Sequence, residues 1–364
     1  MASVSDEDGM KKPLRSGYTT GACATAAAKG AALMLRGQTL VSEVAIDLPA
    51  GITATFHLDG QSFTSDHASC FVIKDAGDDP DITNGAELHA HVSIIPSHGG
   101  GDVVIEGGTG IGMVTKPGLA ISPGEWAINP VPRRMIEEAV RQVFSSLTPH
   151  PASLHIVISV PDGEERATKT LNGRLGIIGG LSILGTTGIV RPISTKAWTD
   201  TIDAALDVAK ACCCETVVLS TGRSSEVTTQ RHLAPLPEEA CIMMGDHVAY
   251  ALRACGKRGF LKPIIACQFA KLLKIACGYE NTHAAASELD LAVLREWGEA
   301  AQLPNETLEI ISHANTAREI AITSGFDTAL VAIVAERVRL AALRHAPGMQ
   351  VRPLLCGYDG TVVI

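Results

Sequence analysis

Aromatic side chains are scarce in this 364-residue chain: seven Phe, four Tyr and three Trp make up 4% of it. Proteins that hold single-stranded nucleic acid stack bases on such rings, so that class of function is disfavoured. Positive charge is short as well. Thirty Lys and Arg stand against 39 Asp and Glu, a formal charge of −9, which argues against general binding along a phosphate backbone. An acidic ligand therefore needs a local basic cluster or backbone N–H groups. No apolar run reaches the roughly 18 residues of a membrane span, and the opening MASVSDEDGMKKP has no apolar signal core. Cysteine is not scarce, at ten, but no C-x2-C pair spaces it for zinc, and Cys212, Cys213 and Cys214 are consecutive. Most of the ten are expected to be small buried apolar residues in a reducing compartment. The expectation is a cytoplasmic protein with neither a nucleic-acid nor a membrane partner.

What is present is a large apolar complement, 46% of residues, with 35 glycines. Such a chain buries a sizeable core, and its length suits two domains. Residues 1–12 carry Asp6, Glu7 and Asp8 without apolar periodicity and read as a disordered tail. In LRSGYTTGACATAAAKGAALMLRG, Thr19 and Thr20 can cap a helix of small residues that Gly37 ends. From Val41 to Ile95 the pattern turns to short strands, VSEVAIDL, ITATFHL, SFTSDHASCFVI and ELHAHVSII, broken by turn residues. VVIEGGTGIGMVT reads as a hairpin, residues 130–147 as a helix and LHIVISV as a further strand. This unequal mix indicates an α+β first domain over residues 13–193. Residues 194–364 alternate strand, glycine-containing loop and helix: ETVVLS, CIMM and PIIAC each precede a helical run. That is the pattern of a parallel sheet with crossover helices. Residues 283–345 read as mostly helical apart from LEIISH.

Several segments can carry chemistry. Gly108, Gly110 and Gly112 follow a strand, as in a dinucleotide-binding loop, but MVTKP after them does not open a helix. The same glycines suit a tight hairpin turn, or a surface on which a flat ligand lies. Residues 167–199 hold Lys169, Arg174, Arg191 and Lys196, six glycines and no acidic residue. Two twisted strands with solvated basic residues would read this way. We favour an anion-binding surface, where glycine admits backbone amides and Arg grips carboxylates in a two-point fork. Thr19 and Thr20 at a helix start offer either a cap or a second anion site. Arg133 and Arg134 lie where the helix dipole disfavours cations, which calls for a ligand, a partner or a tolerated penalty. Thr221, Gly222 and Arg223 follow one apolar strand, and Gly245, Asp246 and His247 another; ligands bind at such carboxyl ends. Asp246 could accept hydrogen bonds from ribose hydroxyls and Glu226 from an amine, or Asp246 could simply cap a helix and Arg223 form a salt bridge. His89 and His91 share a strand face without a third metal ligand, and His313 suits capping or binding equally. No G-x-S-x-G, P-loop or H-E-x-x-H occurs.

Taken together, GYTTGACATAAAKGA, GGTGIGMVTKPGL, NPVPRRMI, LNGRLGIIGGLSILGTTGIVRPIS, STGRSSE and GDHVAYAL resemble, in order, the motifs of the cobalt-precorrin-5B C1-methyltransferases of anaerobic cobalamin biosynthesis. The likeness spans residues 14–313; Ala22 and Thr25 depart from it within their size class. It implies methyl transfer from S-adenosylmethionine to carbon 1 of a cobalt-containing tetrapyrrole, yielding cobalt-precorrin-6A and S-adenosylhomocysteine. It also implies a first domain similar to the second domain of ribosomal protein S5, followed by a Rossmann-like domain. Cobalt then arrives in the substrate, and the protein supplies no metal. The expected donor site is Thr221, Gly222, Arg223, Glu226, Gly245 and Asp246; the expected macrocycle site is Thr19, Thr20, Gly108, Gly110, Lys116, Arg174 and Arg191. Asp246, His247 and Glu226 are the candidates for a base. A non-catalytic carrier of an anionic tetrapyrrole or nucleotide would show the same glycine-rich, basic-edged surface. The sequence leaves open a homo-oligomer and transient handover of the tetrapyrrole to other enzymes of the pathway.

Overall fold

A computed structural model describes residues 14–95, 102–145 and 153–364. The expected tail at residues 1–12 lies outside them, as do the last two residues of the helix expected over 130–147. The chain divides into two compact units, Met1–Lys116 with Ala120–Ser194, and Pro117–Leu119 with Thr195–Ile364.

In the first unit, β1 (Gly17–Tyr18) leads into α1 (Thr20–Gly37). The Thr19 hydroxyl accepts from the Ala22 amide at 3.2 Å and caps the helix. From Ala22 to Ala32 nearly every side chain is buried, because small residues let neighbours approach on all sides. A Cβ at Gly30 would lie 2.4 Å from Leu58. The left-handed C-terminal position is taken by Gln38 (φ 49°), one residue beyond the expected stop at Gly37, and its amide bonds the Met34 carbonyl. A hairpin follows, β2 (Glu43–Leu48) and β3 (Ile52–His57), then β4 (Asp59–Phe63), β5 (His67–Ile73), β6 (Glu87–Ile95) and β7 (Val103–Gly107). After β8 (Met113–Val114) come α2 (Pro130–Phe144), β9 (Ser153–Ser159), the short α3 (Gly163–Ala167), β10 (Ile177–Ile178) and β11 (Ile189–Val190). The main sheet has the order β4-β5-β6-β9-β7 and is antiparallel except at β7–β9. Alternating burial along β5 and β6 turns Val72, Leu88 and Val92 toward α1 and leaves the histidines on the other face.

The expected hairpin over residues 103–115 does not form. β7 pairs with β9 whereas β8 pairs with β10, so the glycine run carries the chain from one sheet to another. Its partners lie far away in sequence: the Val160 amide bonds the Thr109 carbonyl, the Leu181 amide bonds the Gly110 carbonyl, and the Gly112 amide bonds the Leu181 carbonyl, at 2.8, 2.8 and 2.9 Å.

The second unit contains α4 (Thr195–Ala211), β12 (Val218–Ser220), α5 (Arg223–His232), β13 (Cys241–Met243), α6 (Val248–Arg258), β14 (Ile264–Cys267) and α7 (Phe269–Ala276). α8 (Leu291–Ala300), α9 (Asn305–His313), α10 (Ala317–Thr323), α11 (Thr328–His345) and β15 (Arg352–Leu355) complete it. The strands form one parallel sheet, order β13-β12-β14-β15. Both faces are covered. Val217, Leu219, Ile265 and Cys267 join one core cluster, while Val218, Ala266, Leu354 and Cys356 join another with Leu233 and Leu236. Continuous apolar strands are the result. LEIISH, expected to interrupt the helices, is the body of α9. Thr307 and Ile311, one turn apart, are buried, and packing against α8 and α10 overrides the β preference of its branched residues. The protein is thus a mixed α/β protein with a parallel sheet. None of the described helices is long and apolar enough to cross a membrane. All ten cysteines are free, six of them buried.

Gly110 adopts φ 72°, and a Cβ there would lie 1.9 Å from the Val160 carbonyl oxygen. Gly110→Ala should therefore destabilise the protein by about 2 kcal/mol or more, read as a lowered midpoint in urea. An unchanged midpoint would show that this junction yields.

Candidate functional site

In the second unit, the carboxyl ends of β12 and β13 bring two of the sequence-predicted loops together. The amides of Met244 and Gly245 both donate to the Ser220 carbonyl, at 2.9 and 3.3 Å, and the Thr221 amide donates to Ala266 of β14 at 3.2 Å. Gly222 is the N-cap of α5, and the space its side chain would occupy is empty to 4 Å. Arg223 is exposed and donates to the Glu226 carboxylate at 2.7 Å, whereas Glu226 itself is completely buried. Burial raises the Glu226 carboxyl above the usual carboxylate range, with Arg223 opposing. Ser220 is likewise buried, and its hydroxyl has no hydrogen-bond partner among the described residues. Ser225, Thr228 and Thr229 are buried too, so α5 carries an unusually polar hidden face.

After β13, Gly245 turns at φ 58° and leads to Asp246. Asp246 Oδ1 accepts from Lys271 Nζ, in the first turn of α7, and from the Thr282 hydroxyl at 2.6 Å. Lys271 and Lys274 also donate to the Thr282 carbonyl at 2.9 and 3.2 Å, and the Thr282 amide returns a bond to the Asp246 carbonyl at 3.0 Å. Burial pushes the Asp246 carboxyl up, but the bonds from Lys271 and Thr282 outweigh it and hold it below the usual range. Lys274 is pushed down, first by burial and then by the neighbouring Lys271. His247 precedes α6, with Nδ1 at 3.5 Å from the Asn281 side-chain amide.

Sequence reasoning missed three residues here. Thr282 and Lys271 complete the Asp246 network, and Trp198 in the first turn of α4 donates from its indole to the Met244 carbonyl at 3.1 Å. The signal for Lys271 was available: it is a cation in a helix's first turn with no acidic residue beside it, the reasoning applied to Arg133 and Arg134.

The first unit distributes its candidates differently. Thr20 accepts from the Leu184 amide at 2.9 Å, Gly21 donates to the Leu184 carbonyl and Thr19 donates to the Gly188 carbonyl, both at 3.0 Å. The start of α1 is therefore tied to the 184–188 turn. Gly110 lies at the close backbone contact described above, and Gly108 faces side chains: a Cβ there would lie 2.3 Å from Ser159 Oγ. Lys116 Nζ reaches the Arg174 carbonyl at 3.4 Å, and its stem covers Gly176, so these two basic residues share a corner. Arg191 is exposed just after β11, and the exposed Ile178 and Leu184 belong to the same stretch of chain. Lys169 and Lys196 pair with Glu165 and Asp200. Arg133 reaches the Ile105 carbonyl at 3.1 Å, which explains a cation at the start of α2, and Arg134 lies 3.9 Å from Glu138. His89 bonds Glu87 at 2.9 Å and stacks on Phe71; His91 faces His67 at 5.2 Å. His313 bonds the Glu309 carbonyl within α9. Among the described residues no group of three or more His, Cys, Asp or Glu is placed to hold a metal ion.

Because burial raises the Glu226 carboxyl, the wild type loses stability as pH rises from about 4.5, its ordinary value, through the higher folded value. Glu226→Gln removes that loss. Its melting temperature should exceed that of the wild type at pH 7–8 and match it near pH 4. Equal melting temperatures across the range would mean that Arg223 compensates the buried charge fully.

Comparison with known proteins bears on this arrangement. Residues 7–192 match the family described as CbiD, and residues 281–364 match CbiD, C-terminal domain. A protein of Pelobacter propionicus named cobalt-precorrin-5B C(1)-methyltransferase is 59% identical over 96% of this chain and 95% of its own length. Proteins of the same name from Geobacter metallireducens and Priestia megaterium are 57% and 46% identical, covering 97% and 85% of this chain and 98% and 83% of theirs. The crystal structure of a cobalamin biosynthesis protein (cbiD) from Archaeoglobus fulgidus is 28% identical, covering 71% of this chain and 78% of that one, with a TM-score of 0.39. With relatives matched across nearly its whole length, the chain belongs to the CbiD family.

Proposed function

We propose that the protein methylates carbon 1 of cobalt-precorrin-5B, with S-adenosylmethionine as donor, to give cobalt-precorrin-6A and S-adenosylhomocysteine. The observation that carries this is the 57–59% identity, over 96–97% of the chain, to proteins named for that reaction. That name is an enzyme's, which favours turnover over a non-catalytic carrier. When bound, S-adenosylmethionine supplies an electrophilic methyl group whose bond to sulfur breaks as the bond to carbon 1 forms, the electron pair staying on sulfur. The protein's part is to hold, align and desolvate the reactants. Cobalt belongs to the substrate.

The donor belongs to residues 194–364, which we read as Rossmann-like; residues 13–193 form the macrocycle domain, similar to the second domain of ribosomal protein S5. The fit of the donor rests on three features. Lys271 and Thr282 keep Asp246 ionised through one oxygen, and Oδ2 carries no hydrogen bond among the described residues, which suits ribose hydroxyls. Gly222 leaves room in front of the α5 amides, and Thr221 and Arg223 flank it, which suits a carboxylate. Order β13-β12-β14 puts the first strand of the sheet between its successors, and ligands lie at the carboxyl ends of such strands. Glu226, wholly buried, acts through Arg223. Among Asp246, His247 and Glu226, His247 is the one without an ion pair among the described residues, and it is the base we favour for any proton the macrocycle releases.

Lys116, Arg174 and Arg191 serve the carboxylates of the macrocycle, and Ile178 and Leu184 offer it apolar contact. Gly108 and Gly110 shape the backbone behind them, and Thr19 and Thr20 hold the 184–188 turn.

Incubation of cobalt-precorrin-5B with the protein and S-adenosylmethionine should add one methyl group by mass spectrometry, and none without the donor. Tetrapyrrole binding without any gain would restore the carrier reading. Asp246→Ala should weaken S-adenosylhomocysteine roughly tenfold or more in calorimetry and leave tetrapyrrole affinity unchanged, whereas Arg174→Glu should do the reverse. Equal effects on both ligands would overturn this division of residues.

A further inference from the structure

Trp198 is one of only three tryptophans, and 45% of it is exposed to solvent. The ring is held in place. Its indole N–H donates to the Met244 carbonyl at 3.1 Å, so the polar edge of the ring is satisfied inside the protein. The same ring lies over Gly245: a Cβ there would be 2.7 Å from the six-membered ring of the indole, and φ 58° independently favours glycine. The imidazole of His247 stands 6.4 Å away, tilted by 40°, which makes an open aromatic corner. Between Gly245 and His247 comes Asp246, fixed by Lys271 and Thr282. A flat ring and an ionised carboxylate are thus presented within three successive residues and the indole pinned upon them.

We propose that Trp198 is the base-stacking wall of the donor site, with the adenine of S-adenosylmethionine lying on its exposed face. The inference rests on the assignment of the donor to Asp246 made above and adds the group that recognises the base. The chemistry is consistent along the ligand. A nucleoside whose ribose hydroxyls meet Asp246 carries its purine directly beside the ribose, and the indole lies over Gly245, the residue before Asp246. Stacking requires a π-face and little else, so it holds substrate and spent product alike. Trp198 is on this account a binding residue, not a catalytic one.

The test uses the whole chain and S-adenosylhomocysteine or adenosine as probes. Trp198→Ala should bind S-adenosylhomocysteine roughly tenfold more weakly in calorimetry, and adenosine weaker by the same factor, because the lost contact is to the base. Trp198→Phe keeps a stacking face and should stay within about threefold of the wild type. In a Trp126→Phe, Trp297→Phe variant, where Trp198 is the only tryptophan, both probes should quench the tryptophan fluorescence. Wild-type affinity in Trp198→Ala, or unchanged emission at saturating probe, would overturn the proposal while leaving the donor assignment standing. A wild-type protein that binds neither probe would overturn both. Loss of binding in Trp198→Phe equal to that in Trp198→Ala, without quenching, would reduce Trp198 to a support for the Gly245 turn.

Discussion

Three stretches of backbone meet at Gly110 with no side chain between them. A Cβ at Gly163 or at Gly180 would lie 2.2 Å from the Gly110 carbonyl oxygen, and one at Gly110 would strike the Val160 carbonyl. The first unit is organised around this contact. It lets β7 enter the main sheet beside β9 while β8, three residues later, joins β10. It also brings the Lys116 side of the chain to the Arg174 side. Glycine here has a steric cause that is independent of any nucleotide: peptide planes pass each other at hydrogen-bonding distance, and nothing larger than a hydrogen fits. The run GGTGIG looks like a phosphate loop because both structures need backbone without side chains, for different reasons.

A chain with few cations holds several of them in partly buried ion pairs. Lys74 is 2% exposed and pairs with Asp81 at 2.7 Å; Arg258 binds both Asp203 and Asp207 between α4 and α6; Lys271 holds Asp246. Removing water from such pairs costs free energy that their attraction only partly returns, so they are poor sources of stability and good sources of position. At Asp246 the effect is electrostatic. A carboxylate already bonded through one oxygen stays ionised and keeps its second oxygen in a fixed direction.

The second unit was the more legible in the sequence, since each of ETVVLS, CIMM and PIIAC is a short apolar run followed by a loop and a helix, a purely local pattern. The loops that carry the candidate donor residues could be picked out for the same reason. Misreadings arose where a distant partner decides. The strand pairing of residues 103–115 depends on Val160 and Leu181, and nothing within that stretch announces them. LEIISH has the composition of a strand, and only burial of Thr307 and Ile311 between neighbouring helices makes it helical. Within the candidate site, Asp246 could be proposed from its loop alone. Lys271 and Thr282 come from other places in the chain and bond it only in the fold, as Trp198 bonds Met244 in the same loop.

The parallel sheet has a consequence in time. β14 finds its outer neighbour only when Ile264 meets Arg352, after five intervening helices. At about 5–20 residues per second, a ribosome needs roughly 4–18 s to make that intervening segment. Throughout that interval the apolar IIAC strand offers its backbone N–H and C=O groups along one edge to whatever passes, including the same edge on a neighbouring nascent chain. The completion of this sheet is therefore timed by β15, the last strand of the chain to be made.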